Sequence, residues 1–527
     1  MRIHYCAPAC TPGRREGAAK AMRLAALADG RVRGIRGAMT QSQTQHTQAG
    51  TSLDPADWTS TRALGHRMLD DMLDWLEGTR ERPVWEHMPA EKRLELKAPL
   101  PASGTGLEEI YADFRRLVLP YGAGNDHPRF FGWVNGGGTA AGILAELLVA
   151  VFNPNCGGRD HAAIEVERQV IAWAAEAAGF PADTGGVLIA GSSMANMVAL
   201  LVARRAAMGP DVRSQGVGGA GLTAYCSAAA HGCIPRAMDM AGIGTNALRL
   251  IPANGAHRMD IAALQASITA DRAAGLHPFL VVGTAGTVDT GAFDDLDAIA
   301  AITAREDIWF HVDGAFGATA AFSARFKPLL KGLERADSLA FDFHKWAQAP
   351  YDCGCVLVRD RGMQLATFAQ SLAYLEGAER GIAGNPPWPR DLGPDLSREF
   401  RALKVWFTLR AYGAGGIGQM VENCCDVAQH LAARVRREPA LELLAPVALN
   451  IVCFRVASGS ADLNSLNKEL VADIQEAGIA APSTTTINGK LAIRAGIFNH
   501  RSTKADADAL VDGILEMAHR RKAASAA

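Results

Sequence analysis

A histidine and a lysine stand side by side in the stretch FDFHKW, just after an apolar run. Lys345 lies where a short β-rich segment ends, and a lysine withdrawn from water at such a point can form a Schiff base with an aldehyde. A lysine that extends its amine into solvent is the commoner outcome at a strand terminus. Amine chemistry is therefore a hypothesis that needs support from other residues.

Two further segments place polar groups at the ends of apolar runs. In IWFHVDGAFG, the carboxylate of Asp313 is expected to be buried. There it would either bond to backbone amides or hold a cationic ring nitrogen. In AGSSMANMVALLVARRAA, Ser192 and Ser193 precede a helical pattern. A helix start of this kind binds phosphate or is a plain serine cap. Each residue taken alone favours the structural explanation.

The three segments together match the needs of one cofactor. Pyridoxal phosphate has an aldehyde that takes a lysine amine, a ring nitrogen that takes an aspartate, and a phosphate that takes a Gly/Ser-rich helix start. The order along the chain is phosphate seat, Asp313 and Lys345. The set predicts a pyridoxal phosphate site, in which His344 would hydrogen-bond the phosphate or the substrate.

These residues must be positioned by elements whose ends meet. Between residues 136 and 412, short β-rich runs alternate with longer helical ones, as in GVLIAG before MANMVALLVARRAA. The alternation predicts an α/β fold with a mainly parallel sheet, whose ligands gather at the carboxyl ends of the strands. The predicted divisions are a head at 1–50, an N-terminal helical segment at 51–135, a large domain at 136–410 and a small α+β domain at 411–527.

Residues 1–50 have a different composition from the rest of the chain. They are rich in Arg, Ala, Gly and Gln, poor in acidic residues, and lack the apolar core of a secretion signal. An organelle transit segment is one interpretation. We favour a disordered or wrongly started head, because composition alone is weak evidence for targeting.

The net charge and the cysteine pattern argue against several classes of partner. A net charge of −2 gives no electrostatic reason to expect nucleic acid or a membrane surface, and no apolar run reaches spanning length. The ten cysteines form no paired CxxC pattern, so no metal site is predicted. Scattered thiols in a large chain fit the reducing cytoplasm.

Several motifs in a fixed order resemble the group II pyridoxal-phosphate-dependent decarboxylases, the aromatic-L-amino-acid and glutamate decarboxylase group. They are HPRFFGW at 127–133, HVDGAFG at 311–317, HKW at 344–346, FRALKVWFTLRAYG at 400–413 and NHRST at 499–503. The resemblance extends from about Leu53 to about Ala518. It implies the fold type I of pyridoxal-phosphate-dependent transferases, with a seven-stranded, mainly parallel sheet. It also implies a homodimer with active sites at the interface.

The resemblance also implies roles by position. Lys345 would form the Schiff base, Asp313 would pair with the pyridine nitrogen, and His231 would stack on the ring. Tyr374, in SLAYLEG, would protonate the substrate carbon after CO2 leaves. These four are the implied catalytic residues. The other implied cofactor-binding residues are Ser192, Ser193, Thr284, Ala315, His344 and, reaching the phosphate of the partner subunit, Ser397.

The predicted substrate pocket departs from the aromatic-acid subgroup. Its residues are Trp133, Val134, Asn135 and Asn155, and the two asparagines make it more polar than an aromatic-acid pocket. The predicted function is decarboxylation of an L-amino acid, and aromatic amino acids remain among the predicted substrates. The alternatives are an aldehyde synthase, against which Tyr374 argues, a carbon–carbon lyase, and a non-catalytic domain that binds a phosphate ligand.

Overall fold

The computed structural model describes residues 52–370 and 376–526. The predicted head therefore lies outside the described residues. The chain divides into two units, of which one ends at Gly65 and the other spans His66–Ala527. The first unit, described from Ser52, is an irregular segment followed by the first turns of a helix. The second unit contains both sheets and all the predicted site residues that the structure describes.

Seven strands form the larger sheet: β1 (Gly185–Ile189), β2 (Leu222–Ser227), β3 (Leu248–Ile251), β4 (His277–Thr284), β5 (Trp309–Asp313), β6 (Ser338–Asp342) and β7 (Gly354–Val358). Their order is β1-β7-β6-β5-β4-β2-β3. Strand β7 is antiparallel to both neighbours, and the other pairs are parallel. Most strand residues are buried, as expected when helices cover both faces. The predicted seven-stranded, mainly parallel sheet is confirmed.

Fourteen α-helices are present in the described part of the chain: α1 (Trp58–Glu77), α2 (Ala90–Glu95), α3 (Leu107–Asp113), α4 (Ala140–Phe152), α5 (Ala162–Ala178), α6 (Ser192–Met208), α7 (Val212–Gln215), α8 (Cys233–Met240), α9 (Ile261–Ala273), α10 (Leu296–Glu306), α11 (Arg361–Phe368), α12 (Ala402–Arg437), α13 (Leu463–Glu476) and α14 (Lys504–Ala526). In residues 52–370 and 376–526, no helix has the length and apolar character needed to cross a bilayer.

A second sheet lies in the C-terminal part of the chain. Its strands are β8 (Leu441–Leu443), β9 (Ile451–Val456), β10 (Ser483–Ile487) and β11 (Lys490–Gly496), in the antiparallel order β10-β11-β9-β8. The predicted strands LNIVCFRV and KLAIRAG correspond to β9 and β11. Helix α12 leads to this sheet and is kinked at Gly413, where φ is 67°. The predicted domain limits remain a prediction.

The register of the larger sheet brings chemically active residues to one edge. Thr284, the last residue of β4, is opposite Asp313, the last residue of β5. Asp313 is in turn opposite Ala340 on β6. Lys345 follows three residues after β6 ends. Because the ends of parallel strands lie at the same edge, the fold gathers these side chains in one place.

Alternation along β5 puts a second polar row on one face. Side chains at every second position of a strand point to the same side, so Trp309, His311 and Asp313 share a face. Helix α6 packs on this strand, and Asn196 of α6 lies 2.6 Å from His311. The face that carries Asp313 is therefore closed off from solvent by α6.

Candidate active site

Lys345 lies in the connection after β6, close to the start of α6. Its Nζ is 2.7 Å from Oδ2 of Asp342 and 3.2 Å from Oγ of Ser192. The lysine side chain is 21% exposed, whereas that of Asp342 is 1% exposed. The amine is therefore held between two buried oxygens and remains reachable from one side.

Asp342 was not among the residues predicted from the sequence. Its Oδ1 accepts a hydrogen bond of 2.6 Å from the backbone N–H of Ser192, and its Oδ2 pairs with Lys345. A buried carboxylate requires partners of this kind. The available signal was its place as the last residue of an apolar strand, which is the argument that singled out Asp313.

Asp313 is buried beside these groups. Its Oδ1 accepts a hydrogen bond of 3.1 Å from the N–H of Ala315, and its Oδ2 accepts the thiol of Cys233 at 3.7 Å. Burial raises the pKa of the Asp313 carboxyl, and the positive charge of Lys345 and the hydrogen bond from the N–H of Ala315 oppose that rise. The site therefore couples a buried carboxylate to the amine of Lys345.

The start of α6 offers groups for an anion. Ser192 is buried and its N–H is engaged by Asp342, whereas Ser193 is exposed. Within the described residues, the Ser193 hydroxyl has no hydrogen-bond partner. A Cβ on Gly354 would lie 2.5 Å from Cα of Gly191, so the helix start packs directly against β7. A helix N-terminus in this position can bind a phosphate.

Thr284, Ala315 and His231 surround the same edge. Thr284 donates its N–H to Asp294 at 2.8 Å, but its buried Oγ1 has no partner among the described residues. Ala315 lies two residues after Asp313, and its carbonyl oxygen accepts the N–H of Asp342 at 3.0 Å. His231 is exposed in the turn before α8, where its Nδ1 accepts the N–H of Cys233 at 3.2 Å.

His344 is fixed by its neighbours. Its Nδ1 accepts the N–H of Cys353 at 2.9 Å, which puts the proton of the neutral ring on Nε2, 3.9 Å from Oδ2 of Asp342. Burial lowers the pKa of His344. Its ring centroid lies 4.3 Å from that of Tyr351. His344, next to Lys345 in the chain, therefore contacts Tyr351, an aromatic residue that the sequence did not indicate.

Tyr351 lies in the connection between β6 and β7 that also contains Lys345, and it contacts the predicted substrate pocket. Its hydroxyl donates a hydrogen bond of 2.7 Å to Oδ1 of Asn135. A Cβ on the next residue, Gly136, would lie 2.3 Å from the carbonyl oxygen of Lys345. The segment that contains Asn135 therefore packs directly on the lysine backbone, and only glycine fits at position 136.

Trp133 and Val134 precede Asn135 in this segment. Trp133 is 59% exposed and has a φ of 49°, which is unfavourable for a bulky side chain. The carbonyl oxygen of Trp133 accepts a hydrogen bond of 2.8 Å from Arg494, and its N–H donates to Ser483 at 3.3 Å. These contacts from β10 and β11 hold Trp133 in that conformation, while Val134 is half-buried.

Two predicted residues lie elsewhere on the described chain. Asn155 and Ser397 line a groove of about 560 Å³ with Glu146, Glu399 and other residues. Oδ1 of Asn155 accepts the N–H groups of Gly157 and Arg398. Neither residue contacts Lys345 in the described structure. Tyr374 lies outside the described residues.

The groups at this edge fit pyridoxal phosphate. Lys345 supplies an amine, Asp313 a buried carboxylate, and Ser193 a free hydroxyl at a helix start. The buried Thr284 hydroxyl, which lacks a partner, is a polar atom that a bound group would satisfy. In the described part of the chain, no three His, Cys, Asp or Glu side chains are grouped to hold a metal.

Comparisons with known proteins agree with this fit. Residues 89–457 match the family described as the pyridoxal-dependent decarboxylase conserved domain. This range includes the whole seven-stranded sheet, Lys345 and Asp313.

Individual relatives cover most of the chain. The aromatic-L-amino-acid decarboxylase of Bacillus atrophaeus is 32% identical over 84% of this chain and 92% of its own length. The L-2,4-diaminobutyrate decarboxylase of Rhizobium meliloti is 32% identical over 80% of this chain and 84% of its own. The crystal structure of Oryza sativa TDC with PLP and tryptamine has a TM-score of 0.83 and 26% identity, covering 89% of this chain and 100% of the other.

Proposed function

Because the chain belongs to the pyridoxal-dependent decarboxylase family, we propose that it removes the carboxylate of an L-amino acid as CO2 and releases the amine. The observation that supports this most directly is the position of Lys345. Its amine lies between Asp342 and Ser192, at the sheet edge where Asp313 is also buried. The reaction needs these groups together, and the fold brings them together from separate elements.

Pyridoxal phosphate is the cofactor, and when bound it supplies an electron sink for the negative charge left by the departing CO2. Lys345 would hold its aldehyde and Asp313 its ring nitrogen. Ser192, Ser193 and His344 would hold its phosphate. We further assign His231, Thr284 and Ala315 to the walls of the site.

The described residues have distinct tasks in this reaction. Asp313 would have to remain ionised to hold a proton on the ring nitrogen, and the positive charge of Lys345 and the hydrogen bond from Ala315 favour the ionised form. Asp342 holds Lys345 Nζ at the sheet edge. We assign Tyr374 the task of delivering a proton to the substrate carbon.

We propose a substrate whose side chain carries a hydrogen-bonding group. Tyr351 and Asn135 are bonded to each other beside His344, and together they place a hydroxyl and an amide near Lys345. Trp133, which is largely exposed, adds an aromatic surface. The names of the relatives include aromatic amino acids and 2,4-diaminobutyrate, so phenolic and amino side chains both belong among the candidates.

A panel of L-amino acids tests the reaction. Purified protein loaded with pyridoxal phosphate should release CO2 and amine in equal amounts from at least one of them. Lys345→Ala, which removes the amine, should abolish the release. Ammonia and peroxide formed in equal amounts with oxygen uptake would instead identify an aldehyde synthase and overturn the proposal.

We also propose that the protein is a homodimer with active sites at the interface. Helix α4 is apolar on both sides: Ala145 and Val149 are buried, and the outer face of α4 is exposed. This outer face consists of Leu144, Leu147, Leu148, Val151 and Phe152. A helix that is apolar all round is normally buried on all sides. The groove that contains Asn155 and Ser397 also includes residues of α4, which supports the assignment of these two residues to an interface.

A reducing compartment, such as the cytoplasm, is our proposal for the location. The eight cysteines in the described residues are all buried free thiols. Cys353 and Cys355, which flank Gly354 of β7, are among them. Unpaired thiols throughout a large chain are typical of proteins kept under reducing conditions.

A further inference from the structure

A row of polar side chains, all buried except the half-buried Trp309, runs behind the strand ends and terminates at Asp313. It crosses from β5 and β6 to helices α6 and α8. Its members, in order, are Trp309, Ser338, His311, Asn196, Cys233 and Asp313. Neighbours in the row are joined by five hydrogen bonds, and the proposed function assigns no role to the first five residues.

The direction of the row follows from its last member. The Cys233 thiol donates to Oδ2 of Asp313, at 3.7 Å, so this carboxyl oxygen is an acceptor. The sulfur is then free to accept the side-chain amide N–H of Asn196, at 3.5 Å. This contact turns Oδ1 of Asn196 towards His311, whose Nε2 lies 2.6 Å away and must donate.

The opposite end is compatible with the same direction. A neutral histidine that donates from Nε2 must accept at Nδ1, and Oγ of Ser338 lies 2.9 Å from that atom. The same oxygen accepts the indole N–H of Trp309 at 2.8 Å. An indole can only donate. The order that starts from the Cys233 thiol can therefore be continued to Trp309 with every donor pointing towards Asp313.

The protonation states of the two titratable members keep this direction. Burial lowers the pKa of His311 to about 3, so its ring is neutral and has one donor and one acceptor. Burial, together with the negative charge of Asp313, raises the pKa of the Cys233 thiol. The thiol therefore keeps the proton that it donates.

We propose that Cys233, Asn196 and His311 are positioning residues that keep Asp313 an ionised acceptor and fix the orientation of its carboxylate. Burial alone favours the neutral acid, and a hydrogen bond donated to the carboxylate favours the charged form. Donors that are aligned in series polarise one another and strengthen the last bond. The inference rests on the proposed function in one respect, since that function gives Asp313 a ring nitrogen to hold.

Infrared spectroscopy tests the thiol contact without any reaction. The S–H stretch lies in a region free of other protein bands, and the difference between wild type and Cys233→Ala isolates the band of Cys233. We expect this band at the lowered frequency of a hydrogen-bonded thiol. In Asp313→Asn, whose neutral amide is a weaker acceptor, the band should move to higher frequency.

Cofactor binding tests the role of the contact. Titration of the unloaded full-length chain with pyridoxal phosphate, followed by absorbance, should give a Kd roughly tenfold weaker for Cys233→Ala. Cys233→Ser, which restores a donor, should recover most of the affinity. Cys226→Ala is the matched control, because Cys226 is buried in the same apolar cluster and makes no contact with Asp313 among the described hydrogen bonds.

Two results would overturn the inference. One is an S–H band that Asp313→Asn leaves unchanged, which would mean that the thiol does not donate to this carboxylate. The other is an equal loss of affinity in Cys233→Ala and Cys226→Ala, which would reduce the effect to packing. Failure of the wild type to bind pyridoxal phosphate would count against the proposed function instead, while the infrared result would still decide the contact.

Discussion

Lys345 and the start of α6 share one carboxylate. Oδ2 of Asp342 takes the lysine amine and Oδ1 takes the N–H of Ser192, so a single residue satisfies both groups. A bound cofactor would need the same amine and the same helix start. Asp342 therefore contacts both groups that a cofactor would use, and it would give up part of these contacts if the cofactor took them.

Tyr351→Phe tests the polar pocket proposed above. The change removes the hydroxyl that donates to Asn135 and leaves Oδ1 of that residue without its partner. We expect the ratio of kcat/KM for tyrosine over phenylalanine, which differ by one hydroxyl, to fall about tenfold. Tyr412→Phe, at a half-exposed tyrosine of α12, is the control. An unchanged ratio in Tyr351→Phe would place Tyr351 outside the pocket.

His311 makes the fold sensitive to acid. Burial lowers the pKa of His311 from 6.5 to about 3. Between these values the unfolded chain binds a proton that the folded chain does not, so this contribution is complete above pH 6.5 and is lost as the pH falls towards 3. The loss is about 1.4 kcal/mol per pH unit.

Substitution of His311 by glutamine should remove this part of the pH dependence. Glutamine can still donate to Asn196 and accept from Ser338, but it does not titrate. Urea unfolding at pH 7 and pH 5, for the unloaded wild type and for His311→Gln, measures how far the free energy of unfolding of each protein falls between the two pH values. An equal fall in the two proteins would show that His311 binds a proton in the folded chain as readily as in the unfolded chain.

At the scale of elements, the sequence predicted strands better than it predicted their direction. IWFHVD and SLAFDF are apolar runs with a terminal aspartate, and both form strands of the central sheet. β7 is equally apolar, but its antiparallel direction has no counterpart in the sequence. A strand that is buried on both faces looks the same in either direction, because only its neighbours fix its hydrogen-bond pattern.

A buried ion pair joins several elements beside the sheet. Glu167 of α5 and Arg398 are 4% and 1% exposed, with Nη2 of Arg398 2.5 Å from Oε1 of Glu167. The carboxylate also accepts the N–H of Leu188 on β1, and the guanidinium donates to the carbonyl oxygens of Leu188 and Cys156. The pair therefore connects α5 and β1 with the loops that contain Cys156 and Arg398.

Glu167→Ala should destabilise the fold by about 3–5 kcal/mol, because it leaves the Arg398 guanidinium buried without its counterion. The double variant Glu167→Leu/Arg398→Met, which removes both charges, should be more stable than the single one. Chemical denaturation measures both. Asp426→Ala, at the exposed pair with Arg325, is the control and should change the midpoint little. A single variant no weaker than this control would contradict the prediction.

The sequence indicated more of the proposed active site than of the proposed assembly. Asp313 and Lys345 could be found because polar residues at the ends of apolar runs are conspicuous, and the resemblance assigned their roles. Tyr351 and Cys233 could not, since their contacts depend on loops whose course no periodicity encodes. The outer face of α4 could not be recognised either, because an apolar helix reads the same whether it is covered by its own chain or by another.

Val151→Glu tests the proposed homodimer. Val151 is 80% exposed on the outer face of α4, and a glutamate there would be buried without a partner in a dimer. Light scattering after size exclusion should give about twice the chain mass of 55.7 kDa for the wild type and one chain mass for the variant. Met240→Glu, at an exposed residue of α8, is the control and should stay dimeric. A monomeric wild type would refute the dimer.

The antiparallel direction of β7 determines how the backbone around Lys345 is held. Lys345 lies in a link between two paired antiparallel strands, whose ends are joined by the bond from the N–H of Phe343 to the carbonyl oxygen of Cys353. In a parallel crossover the same residue would lead into a helix and could travel with it. Here both ends of the link are anchored in one sheet, so under the proposed function the amine would return to the same point after every turnover. Entry and exit of substrate must be accommodated by other segments of the chain.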